Sequence, residues 1–143
     1  MRRVSWAFVT TSCWILIAII GCGDRTPDPE YAKQLRAFAA AYHSYAESTR
    51  VSPTSLDDLK PHWGEFPLVR ADIESGQFVV AWAVAFERTA AENDRYVLGY
   101  DVDVPQTGGL VLLGGGTVRE VTAEQFAQLG RFKSQGQRVF GSS

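Results

Sequence analysis

Two cysteines, two histidines, a pair of aspartates and a glycine run are the places where this sequence could do chemistry. Cys22 follows Gly21 at the end of an apolar run, and its sulfur is a nucleophile that can be converted to a thioether. His43 falls beside Tyr42, off the apolar stripe of its segment, and reads as a solvated helix residue. His62 stands next to Trp63 and reads as loop packing. Neither has a carboxylate at a recognisable metal-ligand spacing. Asp101-x-Asp103 is a fragment of a calcium loop without the glycine and distal glutamate that would complete it, so a solvated turn is expected. Gly114-Gly115-Gly116-Thr117 lacks the Gly-Lys-Ser/Thr ending of a phosphate loop and leads into a strand. A Gly-x-Ser-x-Gly elbow is absent from the chain. These readings give no catalytic residue, no cofactor and no metal ligand, and the expectation is a protein that is not an enzyme.

The residues leading to Cys22 say more. Arg2 and Arg3, then an apolar run from about Val4 to Ile20, then a small residue before a break, make the three-part pattern of a secretory signal peptide. The run is shorter than the roughly 20 apolar residues of a spanning helix, and Thr10, Thr11 and Ser12 dilute it. Ile19-Ile20-Gly21-Cys22 resembles the lipobox of bacterial lipoproteins. That resemblance implies acylation of Cys22, cleavage between Gly21 and Cys22, and a lipid bilayer as partner. Each buried CH₂ contributes about 0.8 kcal/mol, so two or three acyl chains hold a domain far more firmly than one. An uncleaved anchor and an ordinary signal peptide with a coincidental cysteine are the competing readings. The organisation expected is a signal peptide at 1–21, a tether at 22–28, a globular domain at 29–132 and a flexible tail at 133–143.

About 120 residues remain after such a cleavage, enough for one domain with a modest core. The chain carries 14 Lys+Arg against 16 Asp+Glu; loss of Arg2 and Arg3 leaves 12 against 16, a net charge of −4. That weak acidity argues against a nucleic-acid partner, which wants a basic face. With Cys13 removed and Cys22 acylated, no thiol remains for disulfides, nucleophilic catalysis or thiolate metal sites.

The elements that must position everything else follow from period and punctuation. Tyr31, Leu35, Phe38, Tyr42 and Tyr45 recur at three- and four-residue steps, so Pro29 to Ser48 is expected to be a helix, opened by Pro29 and Glu30. Ser55 to Lys60 reads as one helical turn capped by Thr54 or Ser55, and Pro61 to Pro67 as an irregular loop. A short strand is expected at Leu68 to Ala71. Gln77 to Phe86 is rich in β-branched and aromatic residues and reads as a strand, with Phe78, Trp82 and Phe86 sharing its core face. Glu87 to Asp94 is turn-like, Arg95 to Tyr100 a strand, and Asp101 to Gly109 a loop. Leu110 to Leu113 and Val118 to Val121 flank a glycine-rich turn and form a hairpin. Thr122-Ala123-Glu124-Gln125 is a capping box that starts a helix running to about Phe132, with Phe126 and Leu129 inward. Ser134 to Ser143 is expected to fray. The fold class is therefore α+β: an N-terminal helix packed on a three- to four-stranded antiparallel meander with a short C-terminal helix.

That order is the layout of a pilin-like head. Ala41-Tyr42-His43-Ser44-Tyr45 with Pro53-Thr54-Ser55-Leu56-Asp57-Asp58-Leu59 resembles the helix end and following turn of planctomycete pseudopilin-like proteins, of the type II secretion pseudopilin kind. Gly109 to Thr122 resembles their closing hairpin, and Thr122-Ala123-Glu124-Gln125-Phe126 their "T-x-E-x-F" tail. The resemblance spans roughly Tyr31 to Leu129 and is specific at its two ends. Gln106-Thr107 stand near the position of the family's histidine, and Gly115-Gly116 replace its Asp-Gly turn. The pilin processing signal is absent, and the lipobox-like stretch takes its place.

Together these readings describe a lipid-anchored protein of the cell envelope, on the periplasmic or surface side. Its head would be a non-catalytic interaction domain with envelope or secretion proteins as partners. A small-ligand or peptide-binding module using the loops at Trp63 and Asp101 is the second reading, and an uncharacterised enzyme the third.

Overall fold

Helix α1 runs from Pro29 to Thr49, one residue beyond the expected end. The structure, a computed structural model, describes residues 28–133. The expected signal peptide, Cys22, the tether up to Pro27 and the tail from Ser134 lie outside them. Asp28, expected in the tether, caps α1 instead: its Oδ1 accepts from the Glu30 N–H at 2.9 Å. Leu35, Phe38, Ala39 and Tyr42 form the buried face of the helix. The Tyr42 hydroxyl donates to the Ala81 carbonyl at 2.9 Å, and burial pushes its pKa well above the ordinary tyrosine value.

A 3-10 helix follows at Leu56–Glu65. It continues past the single turn expected, through Pro61, His62 and Trp63. Asp58 fixes its start, because one carboxylate oxygen accepts from the Thr54 N–H (2.7 Å), the Thr54 hydroxyl (2.9 Å) and the Ser55 N–H (3.3 Å). These bonds, the Thr54 backbone N–H foremost, hold the Asp58 carboxyl below the usual carboxylate range. A carboxyl depressed in the folded state stabilises above its unfolded pKa, about 3.9, and that contribution is lost as pH falls through the lower folded value. Acid titration of the folded protein should therefore show a loss of stability beginning near pH 4 that Asp58→Asn blunts. An unchanged acid limb in Asp58→Asn would remove Asp58 from the account.

Helix α2, Pro67–Ser75, overturns the strand expected at Leu68 to Ala71. Pro67 sits in its first turn, Val69 and Ile73 share one face, and Gly76 ends it in the left-handed conformation (φ 77°) with its N–H on the Asp72 and Ile73 carbonyls. Strand β1 is only Phe78–Val80. The long strand expected to Phe86 stops because the chain bends at Ala83, whose φ of 54° breaks the pleat while its N–H donates to the Pro53 carbonyl at 2.7 Å. Trp82 and Phe86 then fold over α1, with centroids 5.9 and 5.6 Å from the Tyr42 ring. Their place against the core holds, as expected for Phe78, Trp82 and Phe86, but one flat strand does not carry them.

The remaining elements are α3 (Ala90–Asn93), β2 (Tyr96–Asp101), α4 (Val104–Thr107), β3 (Gly109–Leu113), β4 (Val118–Val121), α5 (Ala123–Gln128) and β5 (Gly130–Arg131). The turn and loop expected at Glu87 to Asp94 and Asp101 to Gly109 thus each contain a short helix. Strands β1 to β4 form an antiparallel meander in sequence order, and β5 lies parallel to β2 beside β1. The fold is α+β, with the N-terminal helix, the meander and a short C-terminal helix.

Alternation along β2 and β3 divides the core in two. Leu98, Leu110 and Leu112 face the cluster built on α1, whereas Val97, Val111 and Leu113 face the cluster that holds Val104 of α4 and Phe126 of α5. The Thr122 capping box is present: the Thr122 hydroxyl accepts from the Gln125 N–H (3.1 Å), and the Gln125 side chain accepts from the Thr122 N–H (3.0 Å). Helix α5 ends at Gln128, short of the Phe132 expected, because Leu129 is extended and Gly130 pairs with Tyr96. A Cβ at Gly130 would lie 2.7 Å from the Tyr96 ring, so only glycine lets the strands approach. Phe132 then crosses to the α1 side and meets Phe86 and Tyr96 at 5.4 and 5.0 Å.

Candidate functional site

His43, Ala46 and Glu47 recur at helical steps on the last turns of α1 and, with Arg50 just past its end, form one wall of a cleft of about 550 Å³. Phe86 to Ala90 form the opposite wall, and Asn93 and Gly115 complete the lining. Of the sequence-derived candidates, His43 and Gly115 of the glycine run reach it.

His43 is not the solvated residue expected. It is half-buried, its Nε2 is 2.6 Å from the Gly114 carbonyl, and its ring centroid lies 4.4 Å from that of Phe86. A carbonyl only accepts, so Nε2 carries the proton in this bond. A Cβ at Gly114 would run into the Phe132 ring and the Asn93 carbonyl, and one at Gly115 into Ala90 and Asp94, so the turn packs tightly against Phe132 and α3. On the other side of that turn, Asp94 accepts from the Gly115 N–H (2.9 Å) and from the Thr117 hydroxyl (2.6 Å). The Gly114 and Gly116 amides donate to the Tyr96 and Leu113 carbonyls. All three glycine amides are thus spent inside the protein, and the turn is a braced strut between α1 and α3.

The opposite wall is fixed by Asn93, which is 4 % exposed. Its Oδ1 accepts from the Glu87 N–H at 2.8 Å, and its amide donates to the Glu87 and Thr89 carbonyls at 3.2 and 2.9 Å. Thr89 and Glu92 add a reciprocal capping box that starts α3. The backbone of this wall is therefore preorganised, while its Glu87 and Arg88 side chains are exposed. Glu47 and Arg50 opposite are exposed as well. The ion pairs among the described residues are Lys33–Glu30, His62–Glu65 and Arg70–Glu74, so none of these four charges is neutralised by a neighbour. Two carboxylates and two guanidinium groups are exposed to a ligand, and between them the partly buried Phe86 ring packs against His43, Tyr42 and Phe132.

The other sequence candidates are committed to local structure. His62 Nδ1 is 2.9 Å from Glu65 Oε1 within one turn of the 3-10 helix. Trp63 donates its indole N–H to the Leu56 carbonyl (3.1 Å), and Arg70 covers its ring at 3.9 Å. Asp103 stands at the start of α4, its carbonyl accepting from the Gln106 and Thr107 N–H groups. The described residues contain no group of three or more His, Cys, Asp or Glu side chains placed to hold a metal ion. Cys22 lies outside the described residues. No family model, curated protein or solved structure matches the chain.

Proposed function

We propose that this is a lipid-anchored protein of the cell envelope, held through acylated Cys22, whose α+β head is a pseudopilin-like interaction domain in envelope or secretion-related assembly. The observation that carries the reading is Ile19-Ile20-Gly21-Cys22 at the end of an Arg-led apolar run, a few residues before α1 begins. The order of helix, antiparallel meander and closing helix supports the pseudopilin-like part. Among the described residues no helix is long and apolar enough to cross a membrane. In this reading attachment falls to the acyl chains, which together reach the strength that one chain lacks.

Mass spectrometry of the protein extracted from membranes tests the anchor. The expected species begins at Cys22 and carries diacylglyceryl and acyl mass, and Cys22→Ser should abolish that mass and move the protein out of the membrane fraction. An intact precursor with unmodified Cys22 would overturn the proposal. Pull-down with envelope proteins tests the interaction role, where recovery of no envelope component would count against it.

A further inference from the structure

The cleft between the end of α1 and the Phe86–Ala90 wall carries an assignment that does not depend on the lipid anchor. We propose that it binds a short zwitterionic peptide, a dipeptide in the first instance. Arg50 and Arg88 take its carboxylate, Glu47 and Glu87 its ammonium group, and Phe86 an apolar side chain.

Four observations converge. Glu47, Arg50, Glu87 and Arg88 all line the cleft, and none forms an ion pair with a described residue. Their formal charges cancel, so a polyanion gains no long-range attraction, whereas a ligand bearing both signs can satisfy both pairs. Guanidinium groups hold a carboxylate through two parallel N–H donors, which sets orientation as well as strength. Glu47 lies in the last turn of α1 and Arg50 one residue past its end, so both reach the cleft from the same wall. The two charged groups of a free amino acid share one carbon, and a dipeptide separates them by a further 3.8 Å Cα–Cα step. The dipeptide therefore lets its two ends take separate side chains rather than crowd one pair. A cleft of about 550 Å³ lies within the roughly 300–1,000 Å³ of small-ligand sites.

The fourth observation is conformational. Arg50 ends α1 with φ 62° and ψ 13°, the left-handed position that glycine normally occupies at a helix end. A side chain kept there against that preference, and lining a cleft, points to use of the guanidinium group. It also supplies a clean test, because Arg50→Gly removes the guanidinium while relieving the backbone.

The experiment titrates the full-length chain in detergent with L-leucyl-L-leucine by isothermal calorimetry. N-acetyl-leucyl-leucine, leucyl-leucine amide and inorganic phosphate are run alongside. The free dipeptide should bind, each blocked form should bind about tenfold more weakly, and added salt should weaken all of them. Arg50→Gly should keep or raise the melting temperature and lose about tenfold in affinity. Arg88→Ala should lose a similar factor, and Lys60→Ala, outside the cleft, nothing. Absence of heat with the free dipeptide at 10 mM (about 100 times a 0.1 mM dissociation constant) would overturn the proposal. So would equal binding of the N-acetyl form and phosphate, which would mark an anion site, or full affinity in Arg50→Gly. Cys22 lipidation is read separately by mass in the same samples, so failure here leaves the anchor standing, and the reverse.

Discussion

Phe38→Ala should remove about 3–5 kcal/mol of folding stability, a large share of the 5–15 kcal/mol typical of a domain this size. Phe38 is fully buried on α1, and its ring meets those of Tyr42, Phe66 and Trp82 at centroid distances of 6.1, 5.3 and 6.2 Å with steep interplanar angles. Those partners come from α1, the start of α2 and the bend after β1. Truncation therefore opens a cavity at the junction of three segments that cannot all move inward together. The transfer term and the cavity term add. Phe38→Leu keeps much of the volume and should cost far less. Guanidinium denaturation of both variants measures the difference, and a loss under 1 kcal/mol for Phe38→Ala would show that the junction is not the centre of the core.

Gly108→Ala should cost about 2–4 kcal/mol, and for a reason unrelated to apolar burial. Gly108 links α4 to β3 with φ 71° and ψ 177°, a combination that side-chain-bearing residues essentially avoid. An added Cβ would stand 2.5 Å from the Val121 carbonyl oxygen and 3.0 Å from Thr122 Cα. Both are backbone atoms of the β4–α5 corner, so no side chain can swing aside. Gly76→Ala is the matched control. Gly76 has a similar φ of 77° but nothing within 4 Å, so only the left-handed strain of about 1–2 kcal/mol applies. Equal melting temperatures for the two variants would show that the corner yields and that the steric part of the argument is wrong.

What the sequence revealed and what it hid divide along one physical line. Helix α1, strand β2, the β3–β4 hairpin and the Thr122 capping box are written in local period and punctuation, and all were legible. Helix α2 was legible in principle from Pro67, the Val69–Ile73 step and Gly76, but four consecutive residues, Leu68 to Ala71, resemble a strand when read alone. The bend at Ala83 and the strand at Gly130–Arg131 have no local signature, because each is imposed by a partner far along the chain: the Pro53 carbonyl in one case, β2 in the other. The cleft belongs to the same class. His43, Arg88 and Gly115 meet only after the whole sheet is assembled, and nothing in the spacing of those residues announces it. His43 looked solvated because its partner, the Gly114 carbonyl, is 71 residues away.

The crossing of Phe132 to the α1 side sets the order in which the molecule can be completed. A ribosome releases this chain from the N-terminal end, so among the described elements α1 emerges first, with its apolar face uncovered. Strand β5 and Phe132, which close the β2 edge and meet Phe86, emerge after every other described element. The 3-10 helix and α2, next in sequence, cover much of the α1 face, whereas the contact of Phe132 with Phe86 is the later closure, made across a longer sequence separation. Closure of the β2 edge therefore follows the packing of α1 rather than accompanying it.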